Sequence, residues 1–258
     1  MSLIKCWEIF IKFLPSFLLG VRTTLLVALI GTICGLLLGL LVGGLKAMKT
    51  DVNAPFAVKL IKKAYDLLAT VYIEVFRGTP MMVQAVFIYY LVYSNIFKWD
   101  KLVAALFILS INTGAYMSEI IRGGIQSVDK GQTEAARALG LSNWQTMMNV
   151  ILPQAIKNCF PAIGNEFVVN IKDSSVLMII SITELMFQSK SVAGTTYRFT
   201  ETYFVTACIY LFMTTITSII LRMIEKKMNN ANISIPQSQT VPAVMNLSTQ
   251  KEVEHVAD

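Results

Sequence analysis

The sequence predicts an all-α membrane protein that crosses the bilayer about five times. Of its 258 residues, 55% are hydrophobic and only 15% are charged, and the mean hydropathy is +0.60. This composition is too apolar for a soluble domain of the same length. Because a single segment in lipid satisfies its backbone hydrogen bonds only as a helix, the apolar runs are predicted to be helical.

Five apolar runs are long enough to span the hydrocarbon core, which requires about 20 residues. They are residues 17–45, 66–97, 102–122, 157–186 and 203–222. Lysine and arginine are more numerous after the first, third and fifth runs than at the opposite ends. Since cytoplasmic loops carry the excess of basic residues, we expect the N-terminus outside and the C-terminus in the cytoplasm of a multi-pass plasma-membrane protein.

The two ends of the chain lie outside these runs. Residues 1–16 interleave Lys5, Glu8 and Lys12 with apolar side chains and lack the pattern of a cleaved leader. They are predicted to form an amphipathic segment at the membrane interface. Residues 229–258 are rich in Asn, Ser, Gln and Thr and are predicted to be a disordered cytoplasmic tail. The five-helix domain is accordingly placed at residues 17–228.

The charge pattern and the cysteines exclude several function classes. The net charge of +6 arises from cations that flank apolar runs, so we expect contacts with anionic lipid and no binding of nucleic acid. The four cysteines are widely spaced and the single histidine, His255, lies in the polar tail, so no metal site is predicted. The chain lacks the phosphate-binding pattern G-x-x-x-x-G-K-[ST] and a nucleophile with an evident base. We expect no catalytic activity in this chain.

Glycines recur at every fourth position of the first run, as Gly31, Gly35, Gly39 and Gly43. This spacing gives one face of a helix a smooth surface that another helix can approach closely. We expect the face to pack on another span of the same subunit. A subunit interface is the alternative.

Residues 126–153, between the third and fourth runs, contain helix signals of their own. Asp129 with Gln132 predicts a capping box for a first short helix, and Ser142 with Gln145 predicts a second. A loop that only connected two spans would not need two caps.

Between these two boxes, Gly140 is expected to adopt the left-handed conformation that ends a helix. The first helix is narrow because it carries three alanines, and Leu139 and Leu141 offer apolar side chains at the turn. A helix of this kind fits a groove on another protein.

The stretch "EAARALGLSNWQTMMNVILP" resembles the cytoplasmic signature of ABC importer permeases, which reads E-A-A, three residues, Gly, nine residues, Ile, one residue, Leu-Pro. Val150 stands where isoleucine is usual. The segments "EVFRGTPMMVQ", "NTGAYMSEIIRGGIQSV" and "GNEFVVNIKDSSV" are similar to the polar amino-acid branch of that family, the histidine, glutamine and arginine permeases. The resemblance covers roughly residues 17–222. The signature matches at Glu134, Ala135, Ala136, Gly140, Leu152 and Pro153.

The resemblance implies a type I ABC importer permease fold with a cytoplasmic coupling helix that docks into an ATP-hydrolysing subunit. Two such subunits would bind ATP and Mg²⁺, and this chain would bind no cofactor. A second permease copy, identical or paralogous, would complete the pore. A solute-binding protein outside the bacterial plasma membrane would deliver an amino acid. The candidate coupling residues are Glu134, Ala135, Ala136, Gly140 and Leu141.

Ionisable residues occur inside the second and third runs, where they are energetically expensive. Glu74 and Arg77 lie near the start of one, and Glu119 and Arg122 near the end of the other. An antiparallel arrangement predicts structural ion pairs between Arg77 and Glu119 and between Glu74 and Arg122. Gly and Pro within residues 78–80 predict a bending point beside them.

The fourth run is the most polar. Lys172 and Asp173 are adjacent and point in different directions on a helix, so at least one should line a cavity. Glu166, Asn170 and Asp173 recur at i, i+4 and i+7 and share a face, as in a polar path. Carboxylates there would face the ammonium group of an amino acid. The candidate substrate-binding residues are Asp173, Ser174, Glu166, Asn170, Asn112 and Thr113.

Other function classes also need charges inside the membrane. An ion-coupled secondary transporter or a channel is the alternative, but secondary transporters often contain an internal repeat, and none is evident between the two halves of this sequence. A receptor or a structural membrane protein would leave the polar fourth run unexplained. Two carboxylates on one face favour a substrate with a cationic side chain, such as arginine, lysine or histidine, with glutamine and cystine as alternatives.

Overall fold

The computed structural model describes residues 2–48, 50 and 54–230, with the backbone alone for residues 229 and 230. Its described helices are joined by short turns and irregular segments, and no described residue lies in a strand, as predicted. Most of the predicted tail, residues 231–258, lies outside the described residues. A π-helical turn, Met147–Ile151, joins α7 to α8, and a 3-10 helix, Ser174–Ile180, follows α8. The α-helices are α1 (Leu3–Lys12), α2 (Leu14–Ala47), α3 (Phe56–Gly78), α4 (Met81–Asn95), α5 (Lys101–Gln126), α6 (Lys130–Ala138), α7 (Asn143–Thr146), α8 (Leu152–Asp173), α9 (Leu185–Thr196) and α10 (Phe199–Asn230).

Three of these helices, α2, α5 and α10, are long and apolar enough to cross a membrane singly. Two helix pairs that are bent at a short break give two further crossings if each pair counts as one span. The helices α3 and α4 are bent by 114°, and the segment Asn143–Ile180 is bent by 57° against α9. The described chain therefore has up to five spans. The second is broken beside Gly78 and Pro80, where the sequence predicted a bending point, and the fourth is broken where the sequence predicted a continuous run.

The predicted glycine face of α2 packs along α5. A β-carbon at Gly35 would lie 2.6 Å from Cγ2 of Thr113, so no larger residue fits at the present helix separation. The glycine face therefore packs within the subunit, as expected, and the alternative of a subunit interface is wrong. The facing pairs are Gly31 with Leu109, Gly35 with Thr113, Gly39 with Met117, and Gly43 with Ser118.

The first break lies at Thr79 and Pro80. A residue before proline avoids the helical region, and Thr79 is extended, with φ −121° and ψ 147°. Gln84 of α4 donates through Nε2 to the carbonyl oxygens of Phe76 and Thr79, both at 2.9 Å. Its Oε1 accepts from Asn112 of α5 at 2.8 Å. Because backbone carbonyls freed inside a membrane need partners, these buried amides stabilise the bend.

The second break follows α8, where Ser181 adopts the left-handed conformation with φ 65°. The N-cap of α9 is Glu184, whose side chain is fully buried. Its carboxylate accepts from the N–H groups of Met186 and Phe187, both at 2.7 Å, and from the hydroxyl of Tyr210 in α10 at 3.0 Å. A negative charge at the positive end of a helix is stabilising, so this cap fixes the start of α9.

The N-terminal helix α1 is amphipathic. The location of residues 1–16 at the membrane interface stays a prediction. Cys6 and Ile9 are buried in a cluster with side chains of α2 and α10. Arg198, just before α10, is in contact with Glu8 at 3.4 Å. The exposed charged residues of this helix are Lys5, Glu8 and Lys12.

Candidate functional site

The helix α6 starts the predicted helix–turn–helix. Its first turn is capped by Asp129, whose carboxylate accepts from the N–H of Gly131 at 2.7 Å. The capping box predicted for Asp129 with Gln132 is wrong: Oε1 of Gln132 instead accepts from Nε2 of Gln154 at 3.3 Å. This contact links α6 to the base of α8.

The turn after α6 has the predicted left-handed geometry, with φ +82° at Gly140. The second capping box is also confirmed. Ser142 Oγ accepts from the N–H of Gln145 at 3.2 Å, and Gln145 Oε1 accepts from the N–H of Ser142 at 2.9 Å. The side chain of Leu139 is 83% exposed at this turn, and Leu141 is half-buried. An apolar side chain that protrudes from a fixed turn suits a pocket on a partner.

The remaining coupling candidates lie on α6 itself. Ala136 is buried and the helix packs against the π-helical turn, whereas Glu134 and Ala135 are exposed. The exposed surface of α6 therefore includes the short side chains of Ala135 and Ala138, beside the longer Glu134 and Arg137. A partner surface can approach its backbone closely there.

The polar part of α8 forms a second cluster, level with the middle of α2 and α5. Asn170, only 2% exposed, accepts from Thr113 of α5 at 3.1 Å and donates to Thr32 of α2 at 2.8 Å. Thr32 donates in turn to the carbonyl oxygen of Ala28 at 2.7 Å. These bonds join three helices at one level of the bundle.

Four of the six predicted substrate-binding residues form hydrogen bonds to other groups of the protein. Asn112 donates to Oε1 of Gln84, the amide that stabilises the first break. Ser174 donates to the carbonyl oxygen of Ile171 at 2.9 Å. Together with Thr113 and Asn170, both residues are buried. Because buried polar groups pair with one another, these four residues help to hold the bundle together, and their contact with a substrate stays a prediction.

Glu166 and Asp173 are different. Both side chains are half-buried on α8, and within the described ranges neither carboxylate makes a hydrogen bond or a salt bridge. The charges of Asp173 and Arg77 both act on Glu166. The neighbouring Lys172 is exposed. Two carboxylates without partners suit a cationic or ammonium group.

The predicted ion pairs between helices are wrong. Glu119 is bound by Arg122 of its own helix, with Nη2 2.6 Å from Oε2. Arg77 instead lies over the ring of Tyr116, with its guanidinium carbon 5.5 Å from the ring centroid, and Glu74 is exposed. The physical reason is spacing: Arg122 follows Glu119 by three residues on α5, so the two side chains are neighbours on one helix and pair with each other.

Sequence reasoning missed three residues that shape the site. Glu184 lies inside the predicted run 157–186, and a carboxylate in an apolar run is a signal that could have identified it. Gln84 and Tyr116 are uncharged and gave no comparable signal. Their roles depend on the first break, which brings Gln84 back towards the end of α3.

A cavity of about 700 Å³ lies elsewhere, between α1, α2 and α10. No charged side chain lines it. Such an apolar lining matches the acyl chains of a membrane and offers a polar solute no hydrogen bonds. The cluster at α3 and α8 is therefore the better candidate for contact with a solute.

Comparison with known proteins agrees with this architecture. Residues 54–230 match the family model of binding-protein-dependent transport system inner membrane components. The glutamine transport system permease protein GlnP of Escherichia coli K12 is 36% identical over 224 residues, 86% of this chain and 97% of that protein. The putative glutamine transport system permease protein GlnP of Rickettsia bellii is 38% identical over 226 residues, 86% of this chain and 98% of that protein.

Solved structures extend the comparison. The crystal structure of an amino acid ABC transporter with histidines superposes with a TM-score of 0.73 at 38% identity, covering 84% of this chain and 96% of that chain. The MetNI methionine ABC transporter, at 18% identity and a TM-score of 0.69, covers 84% of this chain and 98% of that chain and shares the fold. This chain therefore belongs to the family of inner membrane components of binding-protein-dependent transport systems.

Proposed function

We propose that this chain is the membrane-spanning permease subunit of an ATP-driven importer that moves a polar amino acid into the cytoplasm by alternating access. The observation that carries the proposal is the exposed turn at Leu139 between two short helices. A transporter driven by an ion gradient has no use for a rigid apolar protrusion of this kind, so family and geometry both favour the importer over the ion-coupled alternative.

The partners follow from the same proposal. Two ATP-binding subunits bind ATP and Mg²⁺ and receive α6 and the turn at Gly140. A second permease copy completes the pore, and a solute-binding protein delivers the amino acid from outside. In this arrangement the turn at Gly140 is cytoplasmic, which places the N-terminus outside and the C-terminus inside.

The substrate class rests on Glu166 and Asp173. In the proposed complex they line the route and receive ammonium groups of the solute. These carboxylates would also attract a second cationic group, an ammonium or guanidinium on the side chain of the solute. Cationic amino acids therefore fit this pair well. Two relatives are named for glutamine and one solved structure for histidines, and all of these solutes carry the α-ammonium group that the carboxylates would bind.

Reconstitution tests the function directly. The chain is co-purified with its ATPase, placed in proteoliposomes with its binding protein, and supplied with radiolabelled arginine, histidine or glutamine. We expect uptake that requires ATP and stops when the ATPase is omitted. Mass spectrometry of solute retained by the purified complex identifies the natural substrate. Uptake driven by an ion gradient without the ATPase would contradict the proposal.

A further inference from the structure

The helix α6 is joined to α8 along the chain through two segments of unusual backbone conformation. Gly140 forms the left-handed turn with φ +82°, and the π-helical turn Met147–Ile151 precedes α8. Because glycine adopts more backbone conformations than any other residue, a displacement of α6 would be absorbed at Gly140 if the backbone were the only connection. Motion of α6 reaches α8 in full only where side chains also join the two helices.

The side chain of Gln154 makes such a connection at the base of α8. Its Nε2 carries two hydrogens and donates twice, to the carbonyl oxygen of Val150 in the π-helical turn at 2.9 Å and to Oε1 of Gln132 in α6 at 3.3 Å. One half-buried amide therefore holds the π-helical turn and α6 together. The bond to Gln132 joins residues that are 22 positions apart and bridges both unusual segments.

A second connection lies one turn further along the same face of α8. Asn158 donates through Nδ2 to Oγ of Ser127 at 3.0 Å, and Ser127 donates in turn to the carbonyl oxygen of Gly124 in α5 at 2.8 Å. The backbones are also close at this point, because a β-carbon at Gly124 would lie 2.8 Å from the carbonyl oxygen of Ala155. The end of α5 and the base of α8 are therefore packed against each other.

The packing of α6 completes this set of contacts. Ala136 is buried where α6 packs against the π-helical turn, whereas Leu139 is exposed. The helix is thus bound to the base of α8 by one part of its surface and leaves another part open to a partner. A partner that displaces α6 acts on a helix that is already joined to α8.

We propose that Gln132 and Gln154, supported by Ser127 and Asn158, are positioning residues for transport: they make α6 and the base of α8 move as one body when a partner displaces α6. The proposal rests on the proposed function, in which that partner is an ATPase, and deepens it by naming the side chains that transmit the displacement into the membrane. Without these bonds ATP hydrolysis continues, but less of the displacement reaches α8.

The first test measures how many molecules of radiolabelled arginine, histidine or glutamine are imported per ATP hydrolysed. It uses the permease–ATPase complex in proteoliposomes with its binding protein. Gln154→Leu removes both bonds of the amide and leaves the exposed Gln132 to water. We expect this variant to co-purify with the ATPase and to hydrolyse ATP, but to import about two- to ten-fold fewer molecules per ATP, the range of a net hydrogen bond.

Rescue separates transmission from a general loss of stability. Gln132→Glu with Gln154→Lys replaces the amide pair by an opposite-charge pair and should restore import per ATP. Gln132→Lys with Gln154→Lys places like charges at the same two positions and should not restore it. Gln126→Leu is the matched control, because it makes the same substitution at an exposed glutamine at the end of α5, and should keep the wild-type ratio.

A cross-link tests the common movement itself. Gln132→Cys and Gln154→Cys are joined by a short bis-maleimide in a chain that also carries Cys34→Ser and Cys208→Ser, which remove the exposed native thiols. Import per ATP should be low before cross-linking and should recover after it, because a covalent bridge replaces the lost hydrogen bond and two groups that move together tolerate a fixed distance.

Three results would overturn the proposal. They are abolition of import by the cross-link while the ATPase stays bound, a wild-type ratio in both Gln154→Leu and Asn158→Ala, and loss of ATPase binding in both variants, which would assign these contacts to docking. Asn158→Ala also serves if Gln154→Leu does not assemble, and we expect it to lower the ratio in the same direction. A wild-type complex that hydrolyses ATP but imports no amino acid would overturn the proposed function itself.

Discussion

Glu119 and Arg122 form a bidentate ion pair one turn apart on α5, with Nε of Arg122 3.1 Å from both carboxylate oxygens of Glu119. Neutralising either residue should therefore lower the free energy of unfolding. Neutralising both should lower it by less than the sum of the two single losses. We expect a coupling energy of at least about 0.5 kcal/mol for Glu119→Gln with Arg122→Gln, measured by thermal unfolding of the purified complex. The control is Glu119→Gln with Arg22→Gln, an exposed arginine of α2, which should be additive. Coupling in the control and none in the pair would contradict the assignment.

Adjacent glycines of α2 provide a matched test of the contact with α5. A β-carbon at Gly43 would collide with the backbone oxygen of Ser118, whereas one at Gly44 meets no atom within 4 Å. We expect Gly43→Ala to destabilise the protein by about 1–3 kcal/mol, as overpacking does. Gly44→Ala should be neutral or slightly stabilising, because alanine favours a helix more than glycine does. The unfolding temperatures of the two variants decide this, and equal values would argue against close packing at Gly43.

Replacing Gly140 tests the turn through its conformation alone. Its φ is +82° and no atom lies within 4 Å of an added β-carbon, so a substitution there strains the backbone without causing a clash. Gly140→Val should weaken association with the ATPase and uncouple uptake from ATP hydrolysis, because a β-branched residue resists this conformation. Gly140→Asn should retain more activity, since asparagine tolerates it. A valine variant that co-purifies with the ATPase and transports normally would refute the docking role.

Asp173 is the half-buried carboxylate to test first. Asp173→Asn keeps the shape and removes the charge, so the helices should still fold and the ATPase should still dock. If Asp173 meets the substrate ammonium, we expect substrate affinity to fall about ten- to a hundred-fold. Uptake per assembled complex across a substrate titration measures this, with Lys172→Gln as the control at the neighbouring position. An unchanged titration curve, or loss of protein with normal uptake per complex, would remove Asp173 from the site.

Glu184 and Tyr210 test the second break. Glu184→Gln replaces a buried carboxylate that accepts three hydrogen bonds by an amide that can accept fewer and must also place two donors. We expect a loss of about 1.5–3 kcal/mol in unfolding free energy, against about 1 kcal/mol for Tyr210→Phe, which removes one of the bonds. Denaturation of the purified protein compares the two. A smaller loss for Glu184→Gln than for Tyr210→Phe would contradict the capping role.

The accuracy of the sequence predictions varied with the range of the interactions that each feature depends on. The turn at Gly140 and the box at Ser142 are local, since they arise from residues within four positions, and both are confirmed. The glycine face was also predictable, because a regular spacing on one helix already implies a close neighbour. The box at Asp129 failed because its third residue had a tertiary partner, Gln154, which local rules do not include.

The polar cluster was harder to predict because depth and orientation depend on the two breaks. The sequence offered Glu119 a partner on either helix, and the structure pairs it with Arg122 on its own helix, whereas Arg77 lies over the ring of Tyr116. Likewise, the common face of Glu166, Asn170 and Asp173 did not reveal that Asn170 is bound by Thr32 and Thr113.

The segment from Asn143 to Asp173 runs through α7, the π-helical turn and α8 without a loop. At 1.5 Å per residue it forms a rod of about 45 Å, comparable to the full thickness of a bilayer with its headgroups. Its N-terminal end begins just after the turn at Gly140, and its C-terminal part carries Glu166 and Asp173. In the proposed complex, a shift of that turn by an ATPase would move the carboxylates with it, because one continuous helical segment joins the two ends. The solute would then lose its binding geometry by displacement of that segment, and its release would need no separate trigger.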